Sequence, residues 1–206
     1  MVQSSKVMFR GLCEEVFNTL CFMYLFILVG KKKEVRNFML MNEETSEALD
    51  ILYGAFFDLN ATLDRVASVM MNGFSMPIAG DIVHHKLSHL MPLFADMISE
   101  IKDNYNISSI RPPVHKDDRN YDNLLTMFET VLKEFSDVYE MINKVDDIAI
   151  KHRDRNVSSD LVKVFQKFNI VMGQVITLRD KAAQMPTDFD KFDFHSSEWG
   201  IKGVKL

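Results

Sequence analysis

The stretch from Val83 to Ile101 reads VHHKLSHLMPLFADMISEI and contains two patterns that together restrict the fold. Its apolar residues recur at steps of three and four, which is the spacing of one face of an α-helix. They are Val83, Leu87, Leu90, Phe94, Met97 and Ile101. Pro92 lies inside this pattern, frees a carbonyl four residues earlier and predicts a local kink. A helix with one apolar face must pack against other elements, so the stretch predicts a helical domain.

The second pattern consists of four possible metal ligands, His85, His89, Asp96 and Glu100. On a helical wheel of about 100° per residue they cluster about 130° from the apolar face, so we expect them to point outward. The two histidines form one candidate pair of ligands at four-residue spacing, and the two carboxylates form another. About two helical turns separate the pairs, so one ion cannot reach both, and a second polypeptide would have to complete either.

Three other stretches show the same helical periodicity, and the chain therefore predicts an all-α four-helix bundle. The predicted helices begin near Thr45, Gly80 and Leu124 and after Asn156, with Ser158 or Ser159 capping the fourth. The connection between helices 2 and 3 reads NISSIRPPVHKDD, and its two prolines exclude a helix. About a dozen extended residues reach roughly 40 Å. We therefore predict a long crossover, as in ferritin-like folds, with simple up-down topology as the competitor.

Composition excludes several other functions. The net charge is −5 and only Lys202 and Lys205 decorate the C-terminus, so no basic surface for nucleic acid is expected. The two cysteines, Cys13 and Cys21, both precede residue 40, which leaves the rest without thiol chemistry or disulfides. No phosphate-binding glycine loop, Gly-x-Ser-x-Gly elbow or His-Glu-x-x-His motif occurs.

The first forty residues differ in character from the rest. They contain the apolar run LCFMYLFILV, which is too short for a comfortable membrane span of about 20 residues. The sequence Lys33–Arg36 can be encoded by codons that contain a bacterial ribosome-binding sequence, and Met39 and Met41 follow it. We hypothesise that residues 1–38 are upstream nucleotide sequence read as protein. The alternative is a membrane-associated leader.

The domain organisation follows from this hypothesis. Residues 1–40 form the mistranslated segment or leader, and residues 41–185 form the bundle. Residues 186–206 form a C-terminal tail whose aromatic residues are expected to dock on the bundle. No membrane association is expected unless residues 1–38 belong to the protein, and the expected location is the cytoplasm.

The helix order, the length of the body and the segment Asp96-Met-Ile-Ser-Glu100 resemble the Dps-type miniferritins of the ferritin-like superfamily. The resemblance implies a homo-oligomer, either a dimer or a larger shell. It also implies that Asp96 and Glu100 meet histidines of a neighbouring subunit at a ferroxidase site that oxidises Fe(II). Such a protein would serve iron storage or protection against oxidative stress.

The sequence departs from the family patterns in two ways. The end of the first helix reads VASVMMNGF and lacks the histidine that Dps-type proteins carry there. The usual inward-facing Glu-x-x-His is represented only by Asp81-Ile-Val-His84, so a di-iron site inside the bundle is not expected. Asp81 and His84 of this segment are less favoured metal ligands. Asp58 and Asp64 on the first predicted helix are also less favoured. The alternative function is a non-catalytic interaction protein that kept the bundle and lost the metal.

Overall fold

The computed structural model describes residues 41–115 and 117–205, and all regular secondary structure within them is helical. The predictions for residues 1–40 fall outside this range. The α-helices are α1 (Glu43–Ser68), α2 (Pro77–Ile82), α3 (Leu90–Asp103), α4 (Leu124–His152), α5 (Arg155–Gln184) and α6 (Phe189–Ser196). Two π-helical turns, Val69–Gly73 and Val83–Ser88, follow α1 and α2. No helix in the described ranges has the length and apolar character needed to span a membrane.

Four long helices form the bundle, which confirms the predicted fold class. They are α1, α4, α5 and a composite helix from Pro77 to Asp103 that consists of α2, the second π-helical turn and α3. Asn42 and Asn123 cap α1 and α4, because their side chains accept backbone N–H groups of the first turn. The fourth bundle helix begins at Arg155, earlier than the predicted serine caps, after the left-handed residue Arg153 has ended α4.

A layer of four phenylalanines lies in the bundle core, with one ring from each long helix. These residues are Phe56, Phe94, Phe135 and Phe168. The Phe168 ring is central: its centroid lies 5.3 Å from that of Phe135, 5.6 Å from that of Phe94 and 5.9 Å from that of Phe56. Such stacked and edge-to-face contacts add specific attraction to the burial of apolar area. We call this set the phenylalanine layer.

The second π-helical turn changes which residues of α3 face the core. A π-helical turn inserts one residue relative to an α-helix, so the downstream apolar face moves by about one position. Met97, which the sequence pattern placed in the core, is only half-buried, and Ile98 is fully buried instead. Lys102 also turns inward and is 1% exposed. Its Nζ donates to Asp50 Oδ1 on α1 at 2.6 Å, which compensates the buried charge.

The connection between α3 and α4 lies along α1. Its contacts with α1 progress along that helix in the order of the chain. They join Ile110 N to Asp50, Pro112 to Gly54, His115 N to Asp58 and Arg119 to Thr62. Arg111 also lies over the ring of Phe57, 3.6 Å from its centroid. The described residues of the connection therefore stay in contact with about three turns of α1, and none of them belongs to a helix.

Gly54→Ala is expected to loosen this connection. An added Cβ would lie 2.1 Å from Pro112 Cγ, too close for any real contact. Overpacking outweighs the helix preference of alanine, so the free energy of unfolding should fall by about 1–2 kcal/mol. Gly173→Ala on α5 is the matched control, because no atom lies within 4 Å of its added Cβ. It should raise stability by about 1 kcal/mol in the same urea titration. Equal effects of the two substitutions would contradict this account.

The C-terminal residues contact the beginning of the composite helix. Phe192 is fully buried and stacks on Phe128, and the carboxylate of Asp193 accepts the backbone N–H of Ala79 at 2.7 Å. Further along, Gln174 exchanges two hydrogen bonds with the backbone of Gly203. Gly203 has a positive φ of 67°, and a Cβ there would lie 3.0 Å from the carbonyl oxygen of Lys86. Glycine therefore suits this close approach to the second π-helical turn.

Candidate metal centre

The second π-helical turn brings three histidine rings together on the outer surface of the bundle. One ring nitrogen from each of His84, His85 and His89 lies within 4.8 Å of the others. The ring centroids are 4.4–4.9 Å apart, and Nδ1 of His85 lies 3.5 Å from Nδ1 of His89. We call these residues the histidine cluster. Clustered imidazoles of this kind can hold a divalent transition-metal ion.

The π-helical turn explains why His84 joins the pair that the sequence suggested. In an α-helix, residues five apart point about 140° away from each other. Here the backbone N–H of His89 donates to the carbonyl of His84 at 3.2 Å, an i→i+5 bond that brings those two residues over one another. Pro92 lies just beyond the turn and provides the sequence signal for this distortion. Wheel geometry alone could not show it.

Two carboxylates hold the histidines from outside the cluster. Asp64 on α1 accepts a hydrogen bond from Nδ1 of His84 at 3.0 Å and another from the Ser88 hydroxyl at 2.5 Å. Asp81, one turn before His85, lies 3.3 Å from Nε2 of that ring. A neutral imidazole that donates from one nitrogen presents a lone pair on the other. His84 is thereby prepared to coordinate through Nε2, and His85 through Nδ1.

The remaining predicted ligands lie elsewhere. Asp96 and Glu100 are exposed on α3, as predicted, but they are roughly 10 Å or more along the helix axis from His89. Within the described ranges neither forms a salt bridge. Asp58 is paired with His115 of the connection, whose Nδ1 lies 2.9 Å from its carboxylate. The structure thus joins His85 and His89 with His84, Asp64 and Asp81, and does not join them with Asp96, Glu100 or Asp58 of the same chain.

The bundle interior does not fit a di-iron centre. Ferritin-like di-iron proteins hold their metals with inward-facing Glu and His side chains. In the part of the chain that the structure describes, no Glu or His is buried; the buried polar residues are Thr45, Thr62, Ser88, Lys102, Asp193 and Ser196. Apolar side chains, the phenylalanine layer among them, fill the core between the helices. An ion in this environment would have no ligands and would be strongly disfavoured by desolvation.

A second polar region lies where the connection meets α4. Arg119 donates to Asp117 and Glu134, beside a surface pocket of about 420 Å³. Burial acts to raise the pKa of Asp117, but the hydrogen bonds from Arg119 outweigh it, and the net pKa is lowered. Burial also raises the pKa of the neighbouring Tyr121 to about 12. Arg119, Asp117 and Glu134 compensate one another's charges and attach the connection to α4, so we assign them a structural role.

Comparison by sequence finds no relative: no protein-family model matches the chain, and no curated protein matches it. Comparison by structure does find similar proteins. A humanized archaeal ferritin superposes with a TM-score of 0.70 over 80% of this chain and 99% of its own, at 14% identity. An open-pore ferritin from the hyperthermophilic archaeon Archaeoglobus fulgidus gives 0.70 over 79% and 98%, also at 14% identity.

An engineered closed form of the Archaeoglobus fulgidus ferritin gives the same TM-score of 0.70, covering 80% of this chain and 99% of its own at 14% identity. At 14% identity these superpositions are evidence for the fold and not for the site. The four long helices, their apolar core and these superpositions agree with one another. The described part of the chain therefore has the ferritin-like four-helix-bundle fold.

Proposed function

We propose that the protein binds iron as Fe(II) on the outward face of the composite helix and acts as a homo-oligomer of the Dps type in the cytoplasm. The observation that carries this proposal is the histidine cluster, with one nitrogen from each ring within 4.8 Å of the others. Imidazole nitrogen suits Fe(II), and outer carboxylates such as Asp64 and Asp81 are typical of metal-binding histidines. Iron is the cargo of this site.

Oxidation of the bound Fe(II) is the activity that we infer for iron storage or protection against oxidative stress. Carboxylates favour the Fe(III) product, and Asp96 and Glu100 are exposed on the same helix. They lie too far from their own histidines, so they would act with the histidine cluster of a second copy. Each Fe(II) gives up one electron, which dioxygen or hydrogen peroxide accepts.

Anaerobic titration of the full chain with Fe(II) tests the binding step. Replacing His85 and His89 together by alanine should weaken Fe(II) binding at least about tenfold, since two ligands are lost from a surface site. His115→Ala is the matched control, because His115 is also paired with an aspartate but lies on the connection. Wild-type affinity in the double variant, or an equal loss in the control, would contradict the proposed site.

Oxygen or peroxide consumption and light scattering test the second copy. If carboxylates of a neighbour complete the site, Asp96→Asn with Glu100→Gln should slow Fe(II) oxidation at unchanged oligomeric mass. These two substitutions should leave the affinity for Fe(II) unchanged, because they do not alter the histidine cluster of the single chain. If this variant oxidises Fe(II) at the wild-type rate, the carboxylates of a second copy take no part in oxidation. That result would not affect the proposal that the histidine cluster binds Fe(II).

A non-catalytic bundle protein is the second candidate function, and the phenylalanine layer favours it. Four aromatic rings pack together in the core, so apolar packing would replace an interior metal in holding the helices together. A protein of this kind would ignore added Fe(II), and substitutions in the histidine cluster would leave its oligomeric mass and partners unchanged. The titration above distinguishes the two functions.

A further inference from the structure

The histidine cluster provides only nitrogen ligands, and all of them come from one chain. Three rings of one chain converge, and the nearest carboxylates, Asp64 and Asp81, already contact the outer nitrogens of two of them. Three neutral imidazoles with a fourth position open to solvent are a common arrangement for zinc. Ions of this class, Zn(II), Co(II) and Ni(II), also bind imidazole more tightly than Fe(II) does.

The distances fit one ion with a small adjustment. At metal–nitrogen distances of 2.0–2.1 Å, ligands in a tetrahedron are about 3.3 Å apart. His85 Nδ1 and His89 Nδ1 are already 3.5 Å apart. One ring nitrogen from each of the three histidines lies within 4.8 Å of the others, so no pair in that set must approach by more than about 1.5 Å. The His84 side chain is 37% exposed, which leaves space for a small shift of this size.

The outer carboxylates come from two different elements. Asp81 belongs to α2 of the same composite helix, whereas Asp64 belongs to α1. Asp64 is itself fixed by the Ser88 hydroxyl, and Asn60 donates to its other oxygen at 3.1 Å. A ring held in this way keeps one tautomer and one orientation, which lowers the cost of ordering it around an ion.

We propose that His84, His85 and His89 of a single chain bind one divalent ion of the zinc class, with Asp64 and Asp81 as positioning residues. The proposal rests on the proposed function in using the same histidines, but it needs neither iron nor a second copy. In this site His84 is a metal ligand in the same way as His85 and His89. The proposal also makes α1 part of the site through Asp64, so the bound ion links two helices of the bundle.

Co(II) is the probe for this proposal, because its visible absorption reports the number and kind of its ligands. Titrating the full chain should give one Co(II) per chain, with the intense bands of a four- or five-coordinate ion, displaced by one equivalent of Zn(II). Single substitutions His84→Ala, His85→Ala and His89→Ala should each abolish those bands. His115→Ala should retain them, since that histidine lies outside the cluster.

The results separate this inference from the iron proposal. Weak six-coordinate bands, or a His84→Ala protein with wild-type Co(II) affinity, would overturn the three-histidine site, while Fe(II) binding by His85 and His89 could still stand. Failure of Co(II) and Zn(II) to bind at all would overturn it directly. Circular dichroism of each variant shows whether the surface substitution has left the helices intact.

The spectrum of bound Co(II) and the affinity for Zn(II) test whether Asp64 positions His84, because a merely structural role of Asp64 would change neither. Asp64→Ala should shift the Co(II) bands and weaken Zn(II) binding roughly 10–100-fold, as expected for an outer partner of a metal-binding histidine. Asp64→Asn keeps an oxygen that accepts the Nδ1–H of His84 and should recover part of the affinity. A lower melting temperature with unchanged bands and affinity would show that Asp64 only joins α1 to the composite helix.

Discussion

Phe168→Ala is expected to lower the free energy of unfolding by about 3–5 kcal/mol, which is the usual cost of removing a buried aromatic ring from a core. Phe168 is fully buried, and its ring contacts those of Phe56, Phe94 and Phe135. These neighbours come from three other helices that are fixed by the rest of the bundle, so they cannot collapse into the space. The melting temperature should fall by roughly 10 °C, measured by circular dichroism.

Phe194→Ala provides the matched control, since the Phe194 side chain is 67% exposed on α6. Its effect should stay within about 0.5 kcal/mol, as for ordinary surface substitutions. If the two variants melt together, the four rings are not the layer that joins the helices. If Phe168→Ala retains helical circular dichroism but loses its cooperative transition, the layer determines packing more than it determines helix formation.

Asp50→Ala is expected to cost about 3 kcal/mol, because it leaves the ammonium group of Lys102 buried without a counter-charge. The Lys102 side chain is 1% exposed, and apart from Asp50 its Nζ contacts only the more distant Ser46 carbonyl, at 3.4 Å, among described residues. Asp50 also accepts the backbone N–H of Ile110, so the connection between α3 and α4 loses one attachment as well. Urea unfolding measures the sum of both losses.

The double substitution Asp50→Ala with Lys102→Met isolates the electrostatic part. Methionine fills the volume of the lysine stem without a charge, so most of the lost stability should return. The remaining deficit should be about 1 kcal/mol, the worth of the hydrogen bond to Ile110. A double variant as unstable as the single one would mean that burial of the lysine charge is not the cause.

The sequence predicts much of this fold because local patterns and core packing agree. The apolar stripes that identify the four helices are the faces that pack in the bundle, and Asn123 stands where the third helix begins. Met97 was placed in the core because helical periodicity assumes an uninterrupted α-helix, and the same pattern gave no reason to expect that Lys102 is buried. The π-helical turn before α3 shifts the later residues by one position, a change that only Pro92 signals in the sequence.

The candidate site was predictable in part for the same reason. The pair His85 and His89 follows directly from four-residue spacing, and their exposure agrees with the wheel. The contribution of His84 depends on the π-helical turn, and that of Asp64 depends on how α1 packs beside the composite helix. His84 and Asp64 are 20 residues apart in the chain, and a contact of this kind between packed helices leaves no local sequence signal. The role of Asp96 and Glu100 stays a prediction.

The phenylalanine layer has a consequence for any attempt to redesign this protein as an interior metalloenzyme. Changing Phe168 to glutamate would place a carboxylate among three aromatic neighbours, where it could ionise only at a large cost. Two or more rings would have to be replaced together, with an ion present, before the exchange became favourable. No single substitution therefore leads gradually from this core to an interior metal centre, and stepwise selection would favour new chemistry on the surface first.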